Sequence, residues 1–226
     1  MNMQDSTSQA GGAYGASRVA AAILAGGRSS RMGGRNKAFV DVNGAPMIVE
    51  ATALLKGLFD EVMIVTNTPH EYEALASDAV IFTDIITGCG PLGGIHAALS
   101  HTKHEAVFFT GCDMPHLHAG LIQHMTDRFA TVREDALVPR LRGMAEPLHA
   151  IYRTCVKDRI HAFVEQGASF SVNRFLETIS VCYWDMDGLD EYHEAFANLN
   201  TEEEVEQARQ RQHGRVVERW LDRIRQ

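Results

Sequence analysis

Apolar runs alternate with helical patterns along the first half of this chain. Val19–Leu24, Val62–Thr66, Val80–Thr83 and Val107–Thr110 are short and rich in β-branched or aromatic residues, and they predict buried strands. Between them, Met47–Leu58, His70–Ala76 and Leu92–His101 predict helices. Strand–helix alternation implies right-handed crossovers and an α/β fold with a mostly parallel central sheet and helices on both faces. In such sheets ligands bind beyond the carboxyl ends of the strands. The loop after Leu24, together with Asn67, Asp84 and Asp113, therefore falls on one rim, because each follows or ends a strand.

Beyond Asp113 the pattern changes. Leu117–Phe129 predicts a helix, and Ala136–Leu141 and Pro147–Tyr152 predict a strand pair around Arg142-Gly143-Met144. Cys155–Glu165 predicts a helix stopped by Gly167, and Ile179–Trp184 predicts a further strand. Thr201 opens a helix with Glu204 at capping-box spacing. Val216, Val217, Trp220, Leu221 and Ile224 share one helical stripe, which either packs on its own domain or serves a partner. Residues 1–18 read as a disordered leader, 19–208 as a single domain and 209–226 as a helical extension.

The richest chemistry lies in Leu24 to Lys37, LAGGRSSRMGGRNK. Gly26, Gly27, Gly33 and Gly34 crowd together with Arg28, Arg31, Arg35 and Lys37 directly after a buried strand. A glycine-rich turn in that place lets backbone N–H groups approach a phosphate, and cations neutralise its charge. The spacing is neither that of a P-loop nor that of the dinucleotide fingerprint. Arg31 and Lys37 are the candidate catalytic cations, since Arg clamps phosphate oxygens bidentately and Lys acts as a point charge. Asp113, inside Cys112-Asp113-Met114-Pro115, offers a rim carboxylate. Beside a triphosphate it suits Mg²⁺, which takes few protein carboxylates; otherwise it is an early helix cap for the segment near His118.

The chain has 226 residues, a net charge of −8 and 45% hydrophobic residues, which suits one globular domain and argues against non-specific nucleic-acid binding. Cys89, Cys112, Cys155 and Cys182 show neither Cys-x-x-Cys spacing nor a disulfide framework. No apolar stretch is long enough for a membrane span and no export signal is evident, so a cytoplasmic protein is expected, with no membrane and no nucleic-acid partner. Eleven histidines include the pairs His101/His104 and His116/His118, but neither pair sits in a zinc pattern, and solvated or capping roles are expected.

Leu24-Ala25-Gly26-Gly27, Arg31-Met32-Gly33 and Lys37 resemble the signature loop of nucleotidyltransferases with a Rossmann-like fold. Gly90-Pro91-Leu92-Gly93-Gly94-Ile95, Cys112-Asp113-Met114-Pro115, Glu146-Pro147-Leu148 and Asn198-Leu199-Asn200-Thr201 follow in the order seen in molybdenum cofactor guanylyltransferases. The resemblance covers roughly residues 19 to 208 and departs at Glu202, where the family commonly has proline. It implies Mg²⁺-dependent transfer of GMP from GTP to molybdopterin with release of pyrophosphate. It implies nucleotide contacts at Leu24, Ala25, Gly26, Gly27, Lys37, Asn67, Asp84 and Asp113, with Asp113 as metal ligand. It sets Asn198 and Asn200 toward the pterin. Arg174 belongs either at the pterin phosphate or in a surface salt bridge. Molybdoenzymes or chaperones are the implied transient partners.

Three rivals remain at this point. A sibling transferase would use CTP or a sugar-phosphate acceptor. A glycosyltransferase would use Asp185-Met186-Asp187 as its metal–nucleotide-sugar motif. A non-catalytic delivery protein would use the Val216–Ile224 stripe.

Overall fold

The computed structural model describes residues 18–26, 31–32, 35–42, 44–167 and 169–210. Its strands are β1 (Val19–Leu24), β2 (Arg31–Met32), β3 (Arg35–Asn36), β4 (Val62–Val65), β5 (Val80–Phe82), β6 (Ala106–Gly111), β7 (Ala136–Leu141), β8 (Met144–Ala145), β9 (Ala150–Arg153) and β10 (Val181–Asp185). Its α-helices are α1 (Met47–Lys56), α2 (Pro91–His101), α3 (Ala119–Phe129), α4 (Lys157–Glu165), α5 (Val172–Leu176) and α6, residues 202–210.

The main sheet has the order β10-β7-β9-β6-β1-β4-β5, with β8 paired to β7. Strands β5, β4, β1 and β6 are parallel, whereas β9 runs antiparallel to both β6 and β7. The expected α/β architecture is thus present, with a parallel core at one side and a mixed half at the other. All six residues of β1 are buried. Ala21 and Ile23 join one core cluster, while Ala20, Ala22 and Leu24 join the other. Strand β6 divides likewise, with Phe108 on one face and Phe109 on the opposite one. Burial on both faces is why these strands read as unbroken apolar runs without polar alternation.

The helices cover the two faces separately. Ile48, Ala51 and Leu55 of α1 and Leu121, Ile122 and Met125 of α3 pack on the Phe108 face. Leu92, Ile95 and Leu99 of α2, Ile160 of α4 and Phe175 of α5 pack on the Phe109 face. Strand order reverses at β1: the chain proceeds outward through β4 and β5, then returns to place β6 on the other side of β1. A crevice opens at such a reversal, at the carboxyl ends of the strands.

Several expected elements differ. His70–Ala76 is a 3₁₀ segment over Pro69–Leu75, not an α-helix. Its buried residues, Tyr72 and Leu75, are three apart, the repeat of a 3₁₀ turn. The strand expected at Pro147–Tyr152 begins only at Ala150, because residues 146–149 form a turn in which the His149 N–H donates to the Glu146 carbonyl (3.0 Å). Arg142 and Gly143 turn β7 into β8, both with positive φ (53° and 77°), as a tight hairpin turn requires. Helix α5 and a 3₁₀ segment at Asp190–Phe196 carried no clear signal, being five and seven residues long. The expectations for residues 1–17 and the Val216–Ile224 stripe lie outside the described residues. Helix α6 opens as the capping-box spacing predicts: the Glu204 N–H donates to Thr201 Oγ1 (3.1 Å) and the Thr201 N–H donates to Glu204 Oε2 (3.0 Å).

Gly93 fixes how α2 enters the crevice. A Cβ there would stand 2.6 Å from the Ile86 carbonyl oxygen, a backbone atom with no room to yield. Gly93→Ala should therefore lower stability by about 1–3 kcal/mol through overpacking. Urea denaturation should show an earlier midpoint with the slope unchanged.

Candidate nucleotide site

A cleft of about 570 Å³ lies at the reversal point. Leu24 and Gly26 after β1, Val65 and Asn67 after β4, Asp84 after β5, and Gly90, Pro91 and Gly94 at the start of α2 all line it. Ala25 stands beside it, its N–H donating to the Val65 carbonyl (2.8 Å) and its carbonyl accepting from Tyr72 Oη (3.3 Å). Asn67 and Asp84 meet directly: Asn67 Nδ2 donates to Asp84 Oδ2 (2.8 Å), and the Asp84 N–H donates to Asn67 Oδ1 (3.3 Å). Burial raises the Asp84 carboxyl above its ordinary pKa, against the opposing effect of the Asn67 bond. The pairing leaves Asp84 Oδ1 toward α2, 3.7 Å from where a Cβ on Gly94 would lie.

Lys37 is 4% exposed. Its Nζ donates to Asn200 Oδ1 (3.3 Å) and toward the Leu199 carbonyl (3.5 Å). The Leu199 N–H in turn donates to the Asp113 carbonyl (2.9 Å). One residue of a distant segment therefore ties the glycine-loop lysine to the acidic residue after β6. Asp113 is half-buried, and burial raises its pKa while its own backbone and the Lys37 charge oppose the rise. Asp113 Oδ1 lies 2.6 Å from the position of a Cβ on Gly111, so a side chain at 111 would displace the carboxylate. The helix-cap alternative for Asp113 does not hold, because His118 caps α3, its Nδ1 accepting from the Leu121 N–H (3.2 Å).

The remaining expected residues divide. Asn200 reaches Lys37, while Asn198 is exposed beside the buried Leu199. Arg174 sits on the exposed side of α5, and no hydrogen bond among the described residues ties it to the cleft. Arg31 is paired through its backbone with Asn36, next to Lys37; its side chain and Gly27 lie outside the described residues, as do Arg28, Gly33 and Gly34. The Asp-x-Asp spacing is spent on local structure. Asp185 takes two bonds from Arg140 (2.8 and 3.0 Å), Asp187 accepts the Arg142 N–H (2.8 Å), and Met186 between them is fully buried. His101 stacks on Phe82 (3.9 Å) and His104 faces Glu61 (3.5 Å). Cys112 packs at the strand end, its thiol pushed up to about 12 by burial.

A family model described as the MobA-like NTP transferase domain matches residues 21–180. The chain belongs to this family. The molybdenum cofactor guanylyltransferase of Desulfosudis oleivorans is 35% identical over 192 residues, spanning 84% of this chain and 94% of that protein. That of Syntrophotalea carbinolica is 32% identical over 192 residues, spanning 84% and 90%. The crystal structure of molybdopterin-guanine dinucleotide biosynthesis protein A from Archaeoglobus fulgidus matches with a TM-score of 0.72 at 26% identity, over 84% of this chain and 96% of that one. Family membership makes this chain a nucleotidyltransferase, in agreement with the resemblance in its motifs.

For a MobA-like enzyme, the residues that sequence reasoning missed are supports behind the loop. Asn36 Nδ2 donates to Glu71 Oε2 (2.7 Å) and Tyr72 Oη (2.9 Å), and Asn36 Oδ1 accepts the Ala38 N–H (3.1 Å). Asn36 and the fully buried Tyr72 thus brace the turn that carries Lys37. Their only signal was an asparagine directly before the lysine. Glu204 has a second duty as well: it also accepts the Asn200 N–H.

The raised pKa of Asp113 has a consequence for stability. A carboxyl that holds its proton more tightly folded than unfolded makes stability fall as pH rises between its ordinary and its raised value. Asp113→Asn removes that ionisation. The variant should be more stable than the parent at pH 7, and the gap should close below about pH 4, the ordinary carboxylate range. Parallel urea titrations at the two pH values check the sign.

Proposed function

We propose that this chain transfers GMP from GTP to molybdopterin or the molybdenum cofactor, forming the guanine dinucleotide cofactor and releasing pyrophosphate. The observation that best supports it is the Lys37–Leu199–Asp113 connection, on the same strand-end rim as a nucleotide-sized cleft. The names of the relatives supply guanylyl transfer and the molybdenum cofactor, and that of the Archaeoglobus fulgidus protein supplies molybdopterin-guanine dinucleotide.

In this reading GTP lies with its base and ribose toward Asn67 and Asp84, and its phosphates against Leu24, Ala25, Gly26 and Gly27. The asparagine amide donates and accepts, and the carboxylate accepts, so the pair can read a base edge or ribose hydroxyls. The backbone N–H groups at the start of α2 add donors. An anionic oxygen of the pterin phosphate attacks the α-phosphorus of GTP in line. The new P–O bond forms as the bond from the α-phosphorus to the bridging oxygen breaks, and its electron pair leaves with pyrophosphate. Lys37 and Arg31 neutralise charge on the α-phosphate and on the leaving group. The pterin phosphate is already ionised near neutral pH, so no protein nucleophile is needed. Asn198, Asn200 and Arg174 are assigned to the acceptor.

Asp113 fits a magnesium ion. It is one half-buried carboxylate at the rim, and the described residues hold no cluster of three or more His, Cys, Asp or Glu that would form an all-protein cage. Magnesium prefers one or two carboxylates with phosphates and waters. When bound it would supply charge neutralisation on the triphosphate. Residues 19–208 are assigned to this activity as one unit. Its setting is the cytoplasm, consistent with four free cysteines and with the lack of a membrane-spanning helix among the described residues.

Incubation with GTP, Mg²⁺ and molybdopterin should release pyrophosphate and yield the guanine dinucleotide. Asp113→Ala and Lys37→Met should each lower kcat by about 10²–10³-fold. Faster turnover with CTP than with GTP would move the assignment to a cytidylyl-transferring sibling. Full activity in folded Asp113→Ala would remove the metal role.

A further inference from the structure

Glu146-Pro147-Leu148 is the motif that the nucleotide half of the site leaves unused. Ala145 pairs with Arg140 on β7, and the Glu146 N–H donates to the Pro139 carbonyl (2.9 Å), so Glu146 continues β8 along the side of β7 that faces β9, the other side being taken by β10. Ala150 of β9 pairs with Phe109 of β6 in antiparallel register. Residues 149 to 146 therefore rise at the same end of the sheet as residues 110 to 113. Glu146 and Asp113 share one rim, Glu146 in the β9 column and Asp113 in the adjoining β6 column. One strand spacing, about 5 Å, separates the two columns laterally.

The turn that holds Glu146 is rigid. Its carbonyl accepts the His149 N–H (3.0 Å), and Tyr152 Oη, deep in the core, donates to the Pro147 carbonyl (2.8 Å). The carboxylate itself is half-buried, and no hydrogen bond or ion pair to it occurs among the described residues. Arg140, the cation across the hairpin, is committed to Asp185 through two bonds. Burial raises the Glu146 pKa with no compensating partner. A carboxylate held partly out of water without donors is costly, and incoming N–H groups would relieve the cost.

The proposed acceptor supplies such groups. A pterin carries a ring N–H and an exocyclic amino group side by side on its pyrimidine edge. In molybdopterin that edge lies at the opposite end of a fused tricycle from the phosphate. With the phosphate near Asp113 and Lys37, the pyrimidine edge falls one ring system further along the rim. We propose that Glu146 binds the acceptor by accepting hydrogen bonds from the pyrimidine edge of the pterin, making it a specificity residue for the second substrate. This assignment rests on the molybdopterin reading above. An ionised carboxylate has two oxygens and only accepts, which matches two adjacent donors.

The test varies molybdopterin at saturating GTP and Mg²⁺. Glu146→Gln should raise KM for molybdopterin about ten- to hundred-fold, the cost of losing hydrogen bonds to a charged acceptor. GTP affinity by calorimetry and the thermal midpoint should stay at the parent's values, and Glu146→Asp should recover part of the loss. An unchanged KM in Glu146→Gln, with an active parent, overturns this assignment alone. A rise in KM accompanied by weaker GTP binding or a lower midpoint also overturns it, because it marks a structural role. A parent that makes no dinucleotide from molybdopterin overturns the acceptor reading, and this assignment falls with it.

Discussion

Lys37 carries its ammonium into the interior, and three separate parts of the chain are arranged to make that tolerable. A buried cation without oxygen partners would be prohibitive. Asn200 Oδ1 and the Leu199 carbonyl supply those partners, and the charge also bears on Asp113 and Glu204. The segment after the lysine is held in turn by α6: Val42 and Met47 pack with Leu199, Val205 and Ala208, and Arg209 Nε donates to the Asp41 carbonyl (2.8 Å). The last described helix is therefore part of the device that positions a residue of the first loop. Remove the interaction of Lys37 with the Leu199 carbonyl and the Asn200 side chain, and the glycine loop loses its link to the segment that bonds Asp113.

The sheet divides the work by strand direction. Its parallel core brings successive carboxyl ends to one rim, so the loops after β1, β4, β5 and β6 converge without long excursions. The antiparallel half has another use. Strand β9 runs back between β6 and β7, which brings a turn, not a helix crossover, to the rim beside Asp113. A turn can present side chains to a second substrate next to the first, and it is stiffened here by Tyr152 and the small hairpin of β7 and β8.

Much of this was legible in the chain because burial on both faces leaves a plain mark. Three of the four apolar runs, β1, β4 and β6, are buried as expected, whereas β5 is a strand at the sheet's edge with Val80 exposed and not the buried strand expected there; the rule for strand ends then collected Leu24, Asn67, Asp84 and Asp113. What escaped was set by tertiary contacts. The 3₁₀ segment at Pro69–Leu75 is long enough to mimic a helix, yet it buries residues only three apart. Tyr72 reaches Ala25 and Asn36 across 47 and 36 positions of sequence, a pairing no local pattern encodes. The Asp185-Met186-Asp187 spacing looked chemical, but its carboxylates serve Arg140 and the β7–β8 turn. Short motifs report residue type and interval, whereas the decisive fact is what already occupies each oxygen.

Three carboxylates of the rim, Asp84, Asp113 and Glu146, share one condition: each is made harder to charge by its withdrawal from water. The cause at each is loss of water and not repulsion between them. Any donor or cation that comes within reach of one of these oxygens therefore returns part of what the solvent no longer supplies.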